Sequence, residues 1–396
     1  MVSKRFLFMI FICYAILGLC SPVVSSIWPE VAKDIAVDTS LLGIVVTLNC
    51  AASGVSSFFA YKVRRKFGTN YTNVLGLVFF AIGMVVFANL KDYAMVVIAM
   101  VILGLGNGLV DVNSNSYVVK AYDAKWVSIM HSCWGLASSI GPLIMSAAII
   151  YTSSYRNGFV FILGIIIITI VILLLLKKSW VKEKETIDKE VLALHSVTEE
   201  ESDDSSVLDV LKEKGVLKML FCFTFSNGSG CALMAWLATI VVTQKNISVV
   251  EGAAAVTVYS IALMLGRISI GFVAEKIGIK NIIKSFSFIC AVSMLLLFIP
   301  YKSLILIYAN SALAGFMSGP LTPLLNVDIK NEFDKSLLSK LISLGGVFGL
   351  LGVATISALM TVASRVISIN YIQIIPAIGF LALFLLYSSV VKMKKA

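Results

Sequence analysis

The constraint that dominates this chain is a series of apolar runs, each about the length of a membrane-crossing helix and each almost free of charge. Crossing the hydrocarbon core takes about 20 apolar residues, and runs of that kind fall at 6–27, 41–61, 72–90, 93–116, 127–152 and 155–176. A polar stretch, 177–215, follows, and then six more at 216–243, 253–274, 282–300, 304–327, 336–363 and 366–391. Backbone polar groups in lipid must be satisfied within the segment, so runs of this length read as helices. The composition agrees: 59% of the 396 residues are hydrophobic and only 14% charged, against about a quarter charged in soluble domains. A soluble enzyme or a nucleic-acid-binding protein is excluded. The expected fold is an all-α membrane protein with twelve transmembrane helices in two six-helix bundles, residues 1–176 and 216–396, joined by a linker at 177–215.

The net charge of +10 carries less information than its placement. With the N-terminus on the cytoplasmic side, 25 of the 32 Lys and Arg fall in cytoplasmic segments or in the first residues of runs that start from that side. External loops hold Lys33, Lys91, Arg156, Lys245, Lys302 and Arg365, while Arg267 lies inside a run. That asymmetry is the positive-inside pattern. It predicts a multi-pass protein of the cell membrane with both termini cytoplasmic, and Trp28, Trp126 and Trp180 at span ends fit interfacial anchoring. The first 26 residues also carry the basic start and apolar core of a signal peptide. Their run is long enough to span, so it is expected to remain as the first helix. The seven cysteines all lie in apolar stretches without C-x-x-C spacing, and read as packing residues.

The two halves repeat. Gly104, Asn115, Gly135 and Gly141 match Gly315, Asn326, Gly346 and Gly352, every pair 211 residues apart, and Gly68 matches Gly278 at 210. Parallel repeats of six helices are the layout of transporters that rock around a central site. In the linker, acids and lysines alternate with serines, which predicts a largely disordered tether. Ser206 with Asp209 has capping-box-like spacing and marks the start of a short surface helix.

The loop after the eighth run reads Gly271-x-x-x-Glu275-Lys276-x-Gly278-x-Lys280. Its glycines permit a tight turn and close helix contact, and its acid and bases can hold neighbouring helix ends together. This motif resembles the signature of the major facilitator superfamily. The first-half copy, Lys62-x-Arg64-Arg65-Lys66-x-Gly68, has Arg65 where the family pattern has an acid. Three further stretches resemble the branch containing fucose permease and related sugar transporters: Gly104 to Asn115, His131 to Pro142, and Gly319 to Pro323. The first run departs from that branch in having no acid, and Gly228-Ser-Gly230-Cys231 before Trp236 offers none either.

Asp111, His131 and Arg267 are the ionisable residues of interest inside the runs, Asp111 being the only carboxylate there, and such residues are functional candidates by default. At 1.5 Å per residue they lie about 9, 6 and 12 Å from the cytoplasmic ends, in one polar layer. Asp111 has Asn107, Gly108, Ser114 and Asn115 at helical spacing, which predicts a polar face turned away from lipid. It is either a proton- or solute-binding carboxylate, the role the resemblance implies, or a structural partner of Arg267 or His131. His131 is either a proton relay or a histidine bonded at a helix start. Arg267 reads as a gate or structural pair before a solute ligand, together with Gly271, Glu275, Lys276 and Gly278 and, in the first half, Arg65 and Gly68. Trp236 either stacks on a sugar or packs in the core. Tyr14, Gly18, Ser21 and Ser25 fall at helical spacing in the first run, where they line a cavity or pack closely. Pro320 and Pro323 can break the tenth run.

The sequence therefore predicts a monomeric secondary transporter without cofactor or metal, moving a small polar solute such as a sugar with H+ across the lipid bilayer. Efflux of drugs or metabolites is the alternative within transport, and a membrane sensor the alternative outside it. There is no G-x-x-x-x-G-K-S/T loop for ATP-driven transport, and no H-E-x-x-H or G-x-S-x-G for an intramembrane enzyme.

Overall fold

The computed structural model describes residues 4–121, 124–176, 207–299, 303–333 and 338–393. Among them eleven helices are long and apolar enough to cross a membrane, and a twelfth apolar helix, Ile374–Val390, is slightly shorter. Contacts divide the chain into two compact units, Met1–Val24 with Leu48–Ser202, and Ser25–Thr47 with Asp203–Ala396. Ser25–Thr47, from the first half of the sequence, thus groups with the second unit.

The first unit is built from α1 (Lys4–Cys20), α2 (Leu42–Phe67), α3 (Thr69–Ala88), α4 (Tyr93–Ala121), α5 (Ala124–Thr152) and α6 (Arg156–Leu175). Its helices pair in the order α3 with α4, α1 with α5 and α3 with α6. Lipid is as apolar as leucine, so these pairings rest on close backbone approach and polar contacts rather than on a hydrophobic drive. Gly18 shows the first: a Cβ there would overlap the carbonyl of Trp134, so α1 and α5 touch backbone to backbone. Asn113 shows the second, donating to Thr69 O at 2.7 Å and to Asn73 Oδ1 at 2.8 Å, with Ser114 Oγ reaching the same Asn73 oxygen at 3.4 Å. Ser114, expected on the face of Asp111, therefore turns to α3 instead.

The second unit contains a short helix, Val207–Lys212, then α7 (Val216–Lys245), α8 (Val249–Ile277), α9 (Ile279–Leu296), α10 (Leu304–Ser318), α11 (Leu321–Glu332), α12 (Leu338–Ala363) and α13 (Ile374–Met393). The short helix, expected on the surface, instead buries Val210 in the core of this unit, because an apolar residue at that position finds an apolar partner surface there. Ser206 and the rest of the 177–206 tether lie outside the described residues. The tenth run is broken into α10 and α11 at Gly319–Pro320, as its prolines predict. The start of α2 joins this unit through α12: Thr47 Oγ1 donates to Ala354 O at 3.1 Å, Arg365 Nε donates to Ser40 Oγ at 3.0 Å, and a Cβ on Gly43 would overlap Ser357 O. Gly68 and Gly278 each start a helix at positive φ, 84° and 92°, the turns expected of the two motif loops.

Candidate functional site

In the first unit three helices bring one polar group each to a common point. The Gly18 contact fixes α1 against α5, and one turn before it Tyr14 projects toward both α4 and α5. Tyr14 Oη donates to Asp111 Oδ1 at 2.8 Å and lies 3.2 Å from His131 Nδ1. The rings of Tyr14 and His131 meet edge to face, centroids 5.3 Å apart at 89°. Asn115, one turn beyond Asp111, gives its amide N–H groups to Asp111 Oδ1 at 2.7 Å and to Tyr14 Oη at 3.3 Å. Tyr14 is 3% exposed, whereas Asp111, Asn115 and His131 are only partly buried.

One turn on the other side of Asp111, Asn107 Nδ2 donates to Asn49 Oδ1 at 3.2 Å, and Asn49 Nδ2 donates to Met100 O at 2.8 Å. These asparagines line a cleft of about 20 Å³ with Cys20, Ser21, Val24, Met100 and Leu103, the size of one water molecule. Asn107, Asp111 and Asn115 therefore form a polar ladder along α4, and Tyr14 and His131 extend it to α1 and α5. The sequence pairs Asp111 with Asn107, Asn115 and His131, but gives Tyr14 no more weight than Gly18 or Ser21. The signal for Tyr14 is its spacing of one turn from Gly18, and it becomes legible once Gly18 is known to touch α5.

In the second unit Trp236 is 0% exposed, so no solute reaches its ring in this conformation. Arg267 Nε donates to Gly319 O at 2.9 Å, at the break between α10 and α11. Nearby polar contacts join α7 to the same break: Tyr259 Oη lies 2.9 Å from Ser318 Oγ and donates to Gly230 O at 3.1 Å, and Ser226 Oγ lies 3.0 Å from Thr322 Oγ1. Of the motif residues, Lys276 is exposed, while the side chains of Gly271, Glu275 and Arg65 lie outside the described residues. Lys280, the motif's last basic position, forms an ion pair with Glu332 of α11 at 2.5 Å.

Asp111 is not the sole carboxylate within the spans. The tenth span runs from Leu304 to Ile329, past the Val327 boundary drawn from hydropathy, and so includes Asp328. Asp328 is 1% exposed and its Oδ2 accepts from Tyr387 Oη at 2.6 Å. Lys245, placed by sequence in an external loop, closes the seventh span; its ammonium donates to Leu297 O and Ile299 O, each at 2.6 Å. Among the described residues no cluster of His, Cys, Asp or Glu is arranged to hold a metal.

A chain of apolar spanning helices that gathers a carboxylate, a hydroxyl and an imidazole at one point within the spans is an integral, multi-pass membrane protein. The profile of the Major Facilitator Superfamily matches residues 10–308, and the chain belongs to that family. Its fold matches the crystal structure of a D-xylose-proton symporter with a TM-score of 0.76 at 14% identity, over 97% of both chains. A multidrug efflux pump of Staphylococcus aureus is 24% identical over 173 residues, 43% of this chain and 38% of that protein. A sugar transport protein of Oryza sativa subsp. japonica is 26% identical over 121 residues, 31% of this chain and 24% of that protein. The chain thus spans well under half the length of either curated relative.

Proposed function

We propose that this chain is a secondary transporter, not an enzyme, that carries a sugar or related small polar solute across the membrane together with a proton, by alternating access. The observation that carries the reading is the Asp111–Tyr14–Asn115–His131 network. An acid inside a span is costly and marks a pathway. This one is only partly buried, is bonded on one oxygen by two donors, and has an imidazole one hydroxyl away. The sugar-handling relatives in sequence and in fold support the solute class. The Lys and Arg asymmetry supports cytoplasmic termini in the cell membrane, and a single chain with its own polar ladder supports a monomer, with lipid, solute and H+ as its partners. The motif residues Gly68, Arg65, Gly271, Glu275, Lys276 and Gly278, with the Lys280–Glu332 pair, are read as gating elements.

The test uses purified protein in proteoliposomes, with D-xylose as first probe and a panel of sugars and sugar derivatives after it. For one proton per solute, each unit of pH gradient supplies about 1.4 kcal/mol, hence about tenfold accumulation. Asp111→Asn mimics the protonated carboxyl, so accumulation falls to the level without a gradient while exchange of probe down its own gradient persists. An Asp111→Asn protein that still concentrates the probe removes Asp111 as the coupling group. The efflux relative favours a second reading, solute export against inward proton flow, which the same liposomes separate by the direction of probe movement.

A further inference from the structure

The hydrogen bonds around Tyr14 tie the position of its proton to the charge of Asp111. A phenol has one proton to give and two lone pairs to receive with. Tyr14 Oη sits 2.8 Å from Asp111 Oδ1, 3.2 Å from His131 Nδ1 and 3.3 Å from Asn115 Nδ2. The asparagine amide only donates, and an ionised carboxylate only accepts. While Asp111 is ionised, Tyr14 gives its proton to Asp111 and receives from Asn115, so the contact with His131 is a hydrogen bond only if His131 carries its proton on Nδ1. Once Asp111 is protonated, the carboxyl can donate to Tyr14, and Tyr14 can turn its proton toward a bare Nδ1. Two hydrogen-bond orders therefore fit one set of heavy-atom positions.

We propose that Tyr14 is the proton relay between His131 and Asp111, reversing its hydrogen-bond order as the carboxylate gains or loses the coupled proton. The inference rests on the transport reading given above and adds to it the atom through which the proton passes. In the forward step the Nδ1–H bond of imidazolium His131 breaks as a new O–H bond forms on Tyr14. The original Tyr14 O–H bond breaks as one forms on Asp111 Oδ1. A cation and an anion become two neutral groups, no electrons are transferred, and no outside reactant is needed. Asn115 holds the acceptor oxygen and the hydroxyl in line, since its amide bonds to both.

The other charged and titratable groups on the packed elements leave this pair well defined. α1, α2, α3, α5 and α6 carry no carboxylate, α4 carries only Asp111, and α5 carries the one histidine of these helices. The remaining titratable side chains are the cysteines and tyrosines Cys13, Cys20, Cys50, Tyr61, Tyr71, Tyr93, Tyr117, Cys133 and Tyr151, with basic residues Lys4, Arg5, Lys62, Arg64, Arg65, Lys66, Lys120, Lys125 and Arg156 toward helix ends. Neither a second acid nor a second imidazole on these helices competes for the proton that Tyr14 passes.

The decisive measurement needs no solute. Full-length protein with 15N-labelled histidine is placed in lipid nanodiscs, and the ring nitrogens are read by NMR; the chain has only His131 and His195, and His131→Gln identifies the signal. At alkaline pH, with His131 neutral and Asp111 ionised, the proton is expected on Nδ1. In Tyr14→Phe, which keeps the edge-to-face ring contact but removes the acceptor, it moves to Nε2. Wild-type protein with a bare Nδ1 under these conditions overturns the proposal even if no variant folds, and so does a Tyr14→Phe spectrum unchanged from wild type. In proteoliposomes Tyr14→Phe is expected to lose gradient-driven accumulation of the probe sugar; accumulation at the wild-type level overturns the relay. Wild-type protein that accumulates no probe under a gradient overturns the transport reading instead, and the relay's role in transport with it, whatever the tautomer shows.

Discussion

Arg267 and Pro323 should be energetically coupled through one carbonyl. In a continuous helix the carbonyl of residue 319 accepts from the N–H of residue 323, and residue 323 is a proline with no N–H to give. Gly319 and Pro320 nevertheless keep right-handed helical dihedrals, φ −52°, ψ −51° and φ −80°, ψ −11°, so the Gly319 carbonyl still points where that donor would be. Arg267 Nε takes the place at 2.9 Å. Replacing Arg267 by Met keeps the length of the stem and removes the donor, which costs about 1.5–3 kcal/mol for a bond from a charged group. Pro323→Ala supplies the missing N–H, so in the Arg267→Met background it should recover about 1 kcal/mol more than it yields in wild type. The four proteins of the cycle are compared by unfolding free energy in mixed micelles titrated with SDS, which cancels Arg267's other contacts and the general preference of helices for Ala over Pro. Additivity within about 0.5 kcal/mol would show that Arg267 does not serve this carbonyl, and would return it to the candidate gate or solute ligands.

Tyr387→Phe should destabilise the protein by about 1.5–3 kcal/mol in the same titration, because the 2.6 Å bond it removes ends on the buried carboxyl of Asp328; a loss under about 0.5 kcal/mol would mean that the bond contributes nothing net. Asp38 gives a pH-dependent case outside the spans. Its carboxyl, exposed at the start of the turn Thr39–Leu41, is held below its ordinary value by hydrogen bonds from Ser40 and, less strongly, by Arg365, against a small opposing effect of burial. A lowered folded value means that its contribution is fully present above the unfolded value near 4 and is lost as pH falls through the lower folded value. The stability gap between wild type and Asp38→Ala, under about 1 kcal/mol at pH 7 for so exposed a group, should therefore close on acidification. A gap that does not change between pH 7 and pH 3 would contradict this.

The repeat was the most legible part of the chain, and packing explains why. A Cβ on Gly104 or Gly108 would strike the carbonyl of Asn49 or Ser53, and a Cβ on Gly315 or Gly319 would strike that of Tyr259 or Leu263. Each glycine of the second unit therefore meets a carbonyl 210 residues beyond the one met by its counterpart. A residue type that only one geometry tolerates leaves a periodic mark in sequence, and so do the Gly68 and Gly278 turns. Long-range polar pairing leaves none. Asp328 was hidden because Lys330 and Glu332 follow it closely and cut the apolar run short at Val327, and Tyr387, which bonds its carboxyl, lies 59 residues away. Trp236 was ambiguous because an aromatic inside a span has the same sequence signature whether it lines a cavity or fills a core.

Asp111 and Asp328 then separate by their partners rather than by their positions. Asp328 is 1% exposed, bonded to a tyrosine that is itself 0% exposed, and sits one helical turn from Glu332, which is committed to Lys280. Such a group fixes helix ends together, and exchanging its proton would require that buried contact to open. Asp111 is partly exposed, and its phenol can donate to it or accept from it without any heavy atom moving. Its amide partner Asn115 bonds the carboxyl and the phenol together, so the site persists through either order. A carboxyl that can change protonation while its neighbours stay in place can couple a proton to a conformational cycle, whereas one whose bonds must break to do so can only stabilise a state. On the reading proposed above, that difference makes Asp111, and not Asp328, the candidate for the group through which a proton gradient would act.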